Sequence, residues 1–204
     1  MSDRSDIPAY DVIVLAGGRG ERLGGTDKAL LEVGGVPLLT RTLKATAEAH
    51  RVTVVGPRRP GVSGVVWASE EPSDGGPAAG IVAGLDALDA SDSRSPWVFV
   101  VAVDHPGVEQ VLPAVLRSAG AAMAETDAVC PFDPDGDPVW LLAAYRRQSL
   151  RQACNTISPG HGVSVGRLVG RLRFDPSDAK HEQIGDIDTW ADHQAWANQV
   201  RASA

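Results

Sequence analysis

The sequence predicts a doubly wound α/β fold with a mostly parallel sheet. Three observations carry that prediction. Apolar runs alternate with helical patterns along the chain. The run Val98-Phe99-Val100-Val101-Ala102-Val103 is apolar throughout, as suits a central strand covered on both faces. A glycine-rich stretch follows directly on the first apolar run, Val12 to Val14, and open α/β sheets bind ligands at that edge. With 204 residues, one domain over 1–204 is expected, large enough to bury a core without disulfides or metals.

The elements follow in order. Strands are expected at 11–15, 51–55, 65–68, 97–102, 128–131 and 140–145. Helices are expected at 38–49, 80–88, 108–118, 148–156 and 165–172, with a last one at 190–199. In that last helix Trp190 and Trp196 read as packing anchors. Segments rich in Gly, Pro, Ser and Asp separate these elements, at 57–64, 70–77, 89–96 and 132–138. Ser158–Gly162 reads as a flexible flap or a lead into a helix, and Val200 to Ala204 as a free tail. The sequence shows no internal repeat.

Composition narrows the function classes. The chain is 43% hydrophobic and 22% charged, with a net charge of −7. Nucleic-acid and anionic-membrane binding rely on a broad basic face, so neither is expected. Cys130 and Cys154 give neither a disulfide framework nor zinc spacing, and read as buried thiols. The start, Met1 to Asp11, is polar and lacks the apolar core of a signal peptide. The longest apolar stretch, Trp97 to Val103, is too short to span a bilayer. A soluble cytoplasmic protein is the expectation.

The chemistry is concentrated in Leu15-Ala16-Gly17-Gly18-Arg19-Gly20-Glu21-Arg22-Leu23-Gly24-Gly25-Thr26-Asp27-Lys28. Glycines let backbone N–H groups approach a ligand, and successive N–H groups form an anion-binding concavity. Arg19, Arg22 and Lys28 add local positive charge suited to a polyphosphate. The stretch is not a P-loop, because Asp27 precedes Lys28 and Ala29 follows it. Nor does it give G-x-G-x-x-G, because Leu23 stands where the third glycine belongs. Gly56-Pro57-Arg58-Arg59 after the second strand keeps an NADP-binding module open as a rival.

These residues resemble the signature of nucleotidyltransferases of the molybdenum cofactor guanylyltransferase type. The match runs through Leu15 to Gly18, Arg22, Leu23, Gly24 and Asp27-Lys28. It continues at Gly75-Gly76-Pro77-Ala78-Ala79-Gly80, Val103-Asp104-His105-Pro106 and Asp186-Ile187-Asp188-Thr189. The resemblance implies a Rossmann-like fold of the nucleotide-diphospho-sugar transferase type. It also implies transfer of GMP from GTP to molybdopterin cofactor with Mg²⁺, and transient contact with molybdoenzymes or cofactor-handling proteins. The double glycine at Gly17-Gly18 leans toward a guanine donor.

The roles carried over are these. Lys28 contacts the phosphates and stabilises the transition state, and Arg22 braces the loop or the β and γ phosphates. The backbone of Leu15, Ala16, Gly17 and Gly18 meets base and ribose, with Glu70 and Gly76 completing the nucleotide site. Asp104 ends the most apolar strand, where it serves as metal ligand or caps a helix. Asp188 is the second metal candidate, with helix capping as the alternative, and Asp186 a weaker one. Glu70 stands where the family carries Asp, and no Asn follows the second strand; both departures bear on the base. Arg146, Arg147 and Arg167 are candidates for the acceptor phosphate, with a solvated face as the alternative reading of each, and His105 is a candidate for an acceptor contact. Rival readings are a cytidylyl- or sugar-phosphate nucleotidyltransferase of the same fold, and a non-catalytic nucleotide- or NADP-binding module.

Overall fold

The computed structural model describes residues 7–18, 20–71 and 73–202, without the Glu21 side chain. The apolar run of β1 (Tyr10–Leu15) is paired along its length on both sides. β4 (Val52–Val55) lies parallel on one side, and β6 (Trp97–Ala102) parallel on the other. Register sets Leu15 beside Val55 and Ala102. The residues that follow these three strands therefore emerge together at one edge.

Among the described residues, seven strands form one sheet in the order β5-β4-β1-β6-β8-β7-β9. β5 (Val66–Ala68) extends the parallel set. β8 (Leu142–Arg146) runs antiparallel to both neighbours, β6 and β7 (Ala128–Cys130). β9 (Phe174–Pro176) pairs parallel with β7. The sheet is thus mixed but mostly parallel, in an α/β fold.

Alternate residues of the central strands feed two apolar layers, as the period of two requires. Val12, Val14, Phe99 and Val101 face α1 (Leu38–Ala45) and α3 (Val108–Ala121). Ile13, Val98 and Val100 face α2 (Pro77–Ala90), α4 (Arg147–Ile157) and α5 (Val165–Val169). Cys130 and Cys154 lie in this second layer, where burial pushes both thiols up to about 12. Among the described residues, no helix is long and apolar enough to cross a membrane.

Two short pieces were not foreseen. β2 (Glu32–Val33) and β3 (Val36–Pro37) form a hairpin whose turn, Gly34-Gly35, has φ of 62° and 74°. Consecutive positive φ values make a two-residue hairpin turn that favours glycine. β9 is a three-residue edge strand containing Pro176, too short for a periodicity signal.

Two ends differ from expectation. α1 stops at Ala45 rather than continuing to 49, because the chain must turn into the sheet: His50 N donates to Tyr10 O and Val12 N to Arg51 O. The last helix, α6 (Trp190–Ala202), runs on through the expected tail. There Val200 packs against the core and against Gly34, so the segment 200–202 is not free. Residues 203 and 204 lie outside the described residues.

Candidate active site

The glycine-rich loop leaves β1 at Ala16. Its anchor is Leu23, which is buried, with its N–H donating to Gly20 O at 2.8 Å. The loop ends in a turn at Lys28–Leu30, capped by Asp27, whose Oδ1 accepts from Ala29 N at 3.1 Å. That turn aims Lys28 back toward the end of β6.

Lys28 Nζ donates to Asp104 Oδ2 at 2.8 Å and to Asp188 Oδ1 at 2.7 Å. Arg22 Nη1 donates to Asp188 Oδ2 at 2.9 Å. The Lys28 side chain is only 13% exposed. Burial alone would pull its pKa down; its bonds to the Asp104 and Asp188 carboxylates outweigh that and hold the ammonium above the ordinary lysine value. The Lys28 bond in turn holds the Asp188 carboxyl below the ordinary range.

A backbone hydrogen bond from Ile187 N to Asp104 O, 3.0 Å, ties the two acidic segments together. Ile187 is buried in the core between Asp186 and Asp188. Oxygen atoms of Asp104, Asp186 and Asp188 lie within 4.8 Å of one another. Burial lifts the Asp186 carboxyl above its ordinary value; the charges of Asp104 and Asp188 add to this and His105 opposes it. The donor set is all carboxylate, which suits Mg²⁺, and the Lys28 ammonium already bridges two of the carboxylates.

The capping alternatives for the two aspartates do not hold. Gly107, not Asp104, is the N-cap of α3. At α6, Thr189 and Asp192 exchange bonds: Asp192 N donates to Thr189 Oγ1 at 3.3 Å and Thr189 N to Asp192 Oδ2 at 2.7 Å. The Asp188 carboxylate is left to face Lys28 and Arg22.

The rest of the cradle is more selective than the sequence suggests. Leu15 O accepts from Val103 N, Ala16 N donates to Val55 O, and Ala16 O accepts from Arg59. Gly56 crosses so near that a Cβ there would stand 2.7 Å from Ala16 O. Among the described residues, Gly17 and Gly18 are both exposed and their backbone groups have no partner. Gly76, with φ 86°, begins α2 without a side-chain cap. The Glu70 carboxylate and the Leu15 side chain both border Gly80. Ser158–Gly162 is docked rather than loose: Gly162 N donates to Gly75 O at 2.9 Å, and Gly160 abuts Ala78 and Ala79. Arg19 lies outside the described residues.

Several expected acceptor contacts are elsewhere. Because β8 is antiparallel, its start lies at the site edge and its end at the far edge. Arg146, at that end, stacks on Trp97 at 4.6 Å and bonds the backbone of Met123 and Thr126. Arg147 holds the buried Asp11 and also bonds Asp89. Neither can reach the carboxylate cluster. Arg167 is exposed on α5, and its neighbour Gly166 packs against the Trp140 ring. His105 is buried, with Nδ1 3.1 Å from Gly185 O, so it braces the 185–188 segment. Trp196 is a packing anchor, whereas Trp190 is 53% exposed and meets the His193 ring edge-on. A recess of about 380 Å³ between the end of α1 and the starts of β4 and β5 is at the opposite sheet edge, away from these groups.

Sequence reading missed Arg59. It was seen only as a conceivable cofactor phosphate contact, but its guanidinium is buried and bonded to Asp27 and Ala16. No sequence spacing announces that pairing; only the approach of the loop after β4 creates it.

The model of the MobA-like NTP transferase domain matches residues 12–171. The molybdenum cofactor guanylyltransferase of Pseudomonas paraeruginosa is 34% identical over 126 residues, which is 59% of this chain and 61% of that protein. The chain thus spans about three-fifths of that relative's length. The fold is shared with molybdopterin-guanine dinucleotide biosynthesis protein A from Archaeoglobus fulgidus at TM-score 0.68 and 21% identity, covering 95% of this chain and all of that one. It is also shared with 2-C-methyl-D-erythritol 4-phosphate cytidylyltransferase from Thermus thermophilus at TM-score 0.65 and 21% identity, covering 95% and 99%. With its glycine-rich loop, its Asp-Lys pair and a family match over most of its length, the chain belongs to the MobA-like NTP transferase family.

Proposed function

We propose that the protein is a nucleotidyltransferase that moves GMP from GTP to molybdopterin cofactor and releases pyrophosphate. One observation carries the reading: Lys28, at the end of a glycine-rich loop, meets Asp104 and Asp188 at the edge where the parallel strands end. An anion-binding loop, a fixed cation and a carboxylate cluster are what phosphoryl chemistry on a triphosphate requires.

In this reading a terminal phosphate oxygen of the acceptor attacks the α-phosphorus. A new P–O bond forms as the bond to the bridging α–β oxygen breaks, and pyrophosphate carries away the electron pair. A phosphate monoester is already anionic, so the chain need not supply a general base. Its task is positioning and charge neutralisation. The N–H groups of Gly17 and Gly18 receive the nucleotide, with Leu15, Ala16 and Gly76 shaping its walls. Glu70, whose carboxylate borders Gly80 as the Leu15 side chain does, would contact base or ribose. Lys28 and Arg22 stabilise charge that builds on the phosphate oxygens and the leaving pyrophosphate. Asp104 and Asp188, with Asp186 beside them, would hold Mg²⁺, which supplies further charge neutralisation. Arg167, exposed on α5, remains a candidate contact for the acceptor phosphate. A cytoplasmic location, and transfer of the product to molybdoenzymes or cofactor-handling proteins, belong to the same proposal.

The test is pyrophosphate release from GTP, CTP, ATP and UTP at one Mg²⁺ concentration, with and without molybdopterin cofactor. Release from GTP that depends on the acceptor is expected, with GTP favoured by at least about tenfold, roughly 1.4 kcal/mol. Equal or better use of CTP overturns the guanylyl reading in favour of a cytidylyl one. Tight NADPH binding with no triphosphate binding would overturn both.

A further inference from the structure

Arg59 lies on the loop after β4, with its side chain 6% exposed. Its Nε donates to Asp27 Oδ2 at 2.9 Å, and its Nη2 to Asp27 Oδ1 at 2.8 Å. The same Nη2 donates to Ala16 O at 2.8 Å, and Nη1 to Pro57 O at 3.1 Å. Ala16 and Asp27 are the residues that bracket the glycine-rich loop. One guanidinium therefore joins the loop's beginning, its end and the neighbouring crossover.

Two groups that face a ligand are set by this clamp. A trans peptide is planar, with its C=O and N–H pointing opposite ways. Pinning Ala16 O toward Arg59 turns the Gly17 N–H to the other side, and Gly17 is exposed. Asp27 Oδ1 also caps the turn that carries Lys28, so holding the Asp27 carboxylate orients that turn. Arg59 keeps this carboxyl below its ordinary range, hence charged. Lysine could not substitute, since a point charge lacks the fork that reaches Asp27 twice and Ala16 at once.

We propose that Arg59 is a positioning residue of the nucleotide site, which presets the Gly17 N–H and the Lys28 ammonium for the triphosphate. The proposal rests on the nucleotidyltransferase reading. Misplacing a catalytic group by about 1 Å can cost on the order of 10²-fold in rate, so partial loosening of the clamp should be visible in kcat.

The experiment compares wild type, Arg59→Lys, Arg59→Ala, Lys28→Ala and the Lys28→Ala/Arg59→Lys double variant. Saturating pyrophosphate-release rates, triphosphate Kd by calorimetry and melting temperature are measured for each. Arg59→Lys should lower kcat by about tenfold or more, a larger change than in Kd, because the site's charge survives but its placement does not. In the Lys28→Ala background the same change should cost less, since one of the two groups it positions is already gone and only the Gly17 N–H remains to be misplaced. A kcat for Arg59→Lys within about twofold of wild type, or equal costs in both backgrounds, overturns the proposal and leaves Arg59 a stability contact only. If Arg59→Ala does not fold, Arg59→Lys decides. Wild type that releases pyrophosphate from no triphosphate defeats the nucleotidyltransferase reading, and this proposal with it.

Discussion

The two edges of the central sheet carry ion clusters made from the same ingredients. At the edge where β1 and β6 end, Lys28 and Arg22 face Asp104 and Asp188. At the edge where they begin, Arg147 and Arg151 face Asp11, Asp89 and Asp86. The difference lies in the acid at the centre of each cluster, since the side chains of the outer acids of both, Asp188 at one edge and Asp86 and Asp89 at the other, are open to solvent. Asp11 is 0% exposed, and it also accepts from Ser93 Oγ and Ser95 Oγ. The first cluster is open, and its cation sits between carboxylates that could equally hold a metal. A fully buried carboxylate bonded on several sides, like Asp11, fixes structure, while a carboxylate cluster with a solvent-facing member can exchange partners.

The comparison can be broken from either side. The largest effect is expected at the closed edge. Asp11→Ala removes one partner from a buried charge cluster and leaves Arg147 without its deepest acceptor, which should destabilise the fold by about 3–5 kcal/mol. Chemical denaturation measures this, and pyrophosphate release per folded molecule should be unchanged. A variant as stable as wild type would show that the buried cluster is dispensable.

At the open edge the signs reverse. Lys28→Ala should lower turnover by about 10²-fold or more, as when one preorganised electrostatic group is lost. Asp104 and Asp188 then lack their ammonium, so added Mg²⁺ should raise the melting temperature of this variant more than that of wild type. Undiminished turnover in the folded variant would remove Lys28 from the mechanism. The smallest effect separates the carboxylates themselves. Asp104→Asn should shift the Mg²⁺ titration of the rate to higher concentration, with the melting temperature near that of wild type. Superimposable titrations for the two proteins would falsify its role as a ligand.

Much of this molecule was legible before its structure. Strands β1, β4, β6 and β8 announced themselves because apolar runs survive any topology, and Lys28, Arg22, Asp104 and Asp188 because their motifs are local. Strand direction is not written in a residue pattern. The antiparallel course of β8 put Arg146 and Arg147 at the wrong edge for the acceptor role given them. Buried Asp11 looked like part of a polar start, since only packing reveals that Ser93, Ser95 and Arg147 surround it. Arg59 was hidden for the same reason, its partners being 32 and 43 residues away. The β2–β3 hairpin was the one avoidable omission, because Val33-Gly34-Gly35-Val36 carries a hairpin signal.

The bond between Lys28 and Asp188 spans 160 residues of sequence. It has a consequence in time as well as in space. Chains are made from the N-terminus, and contacts this distant form only after the elements between them have condensed. The glycine-rich loop is synthesised well before residue 188, and its cation lacks one of its two carboxylate partners until that residue has been added. Val200 and Trp196 then seat the last helix against Gly34 and Gly107, holding the late carboxylate against the early lysine. The complete ion cluster therefore needs residue 188 in place, and a growing chain has its loop long before it has this site.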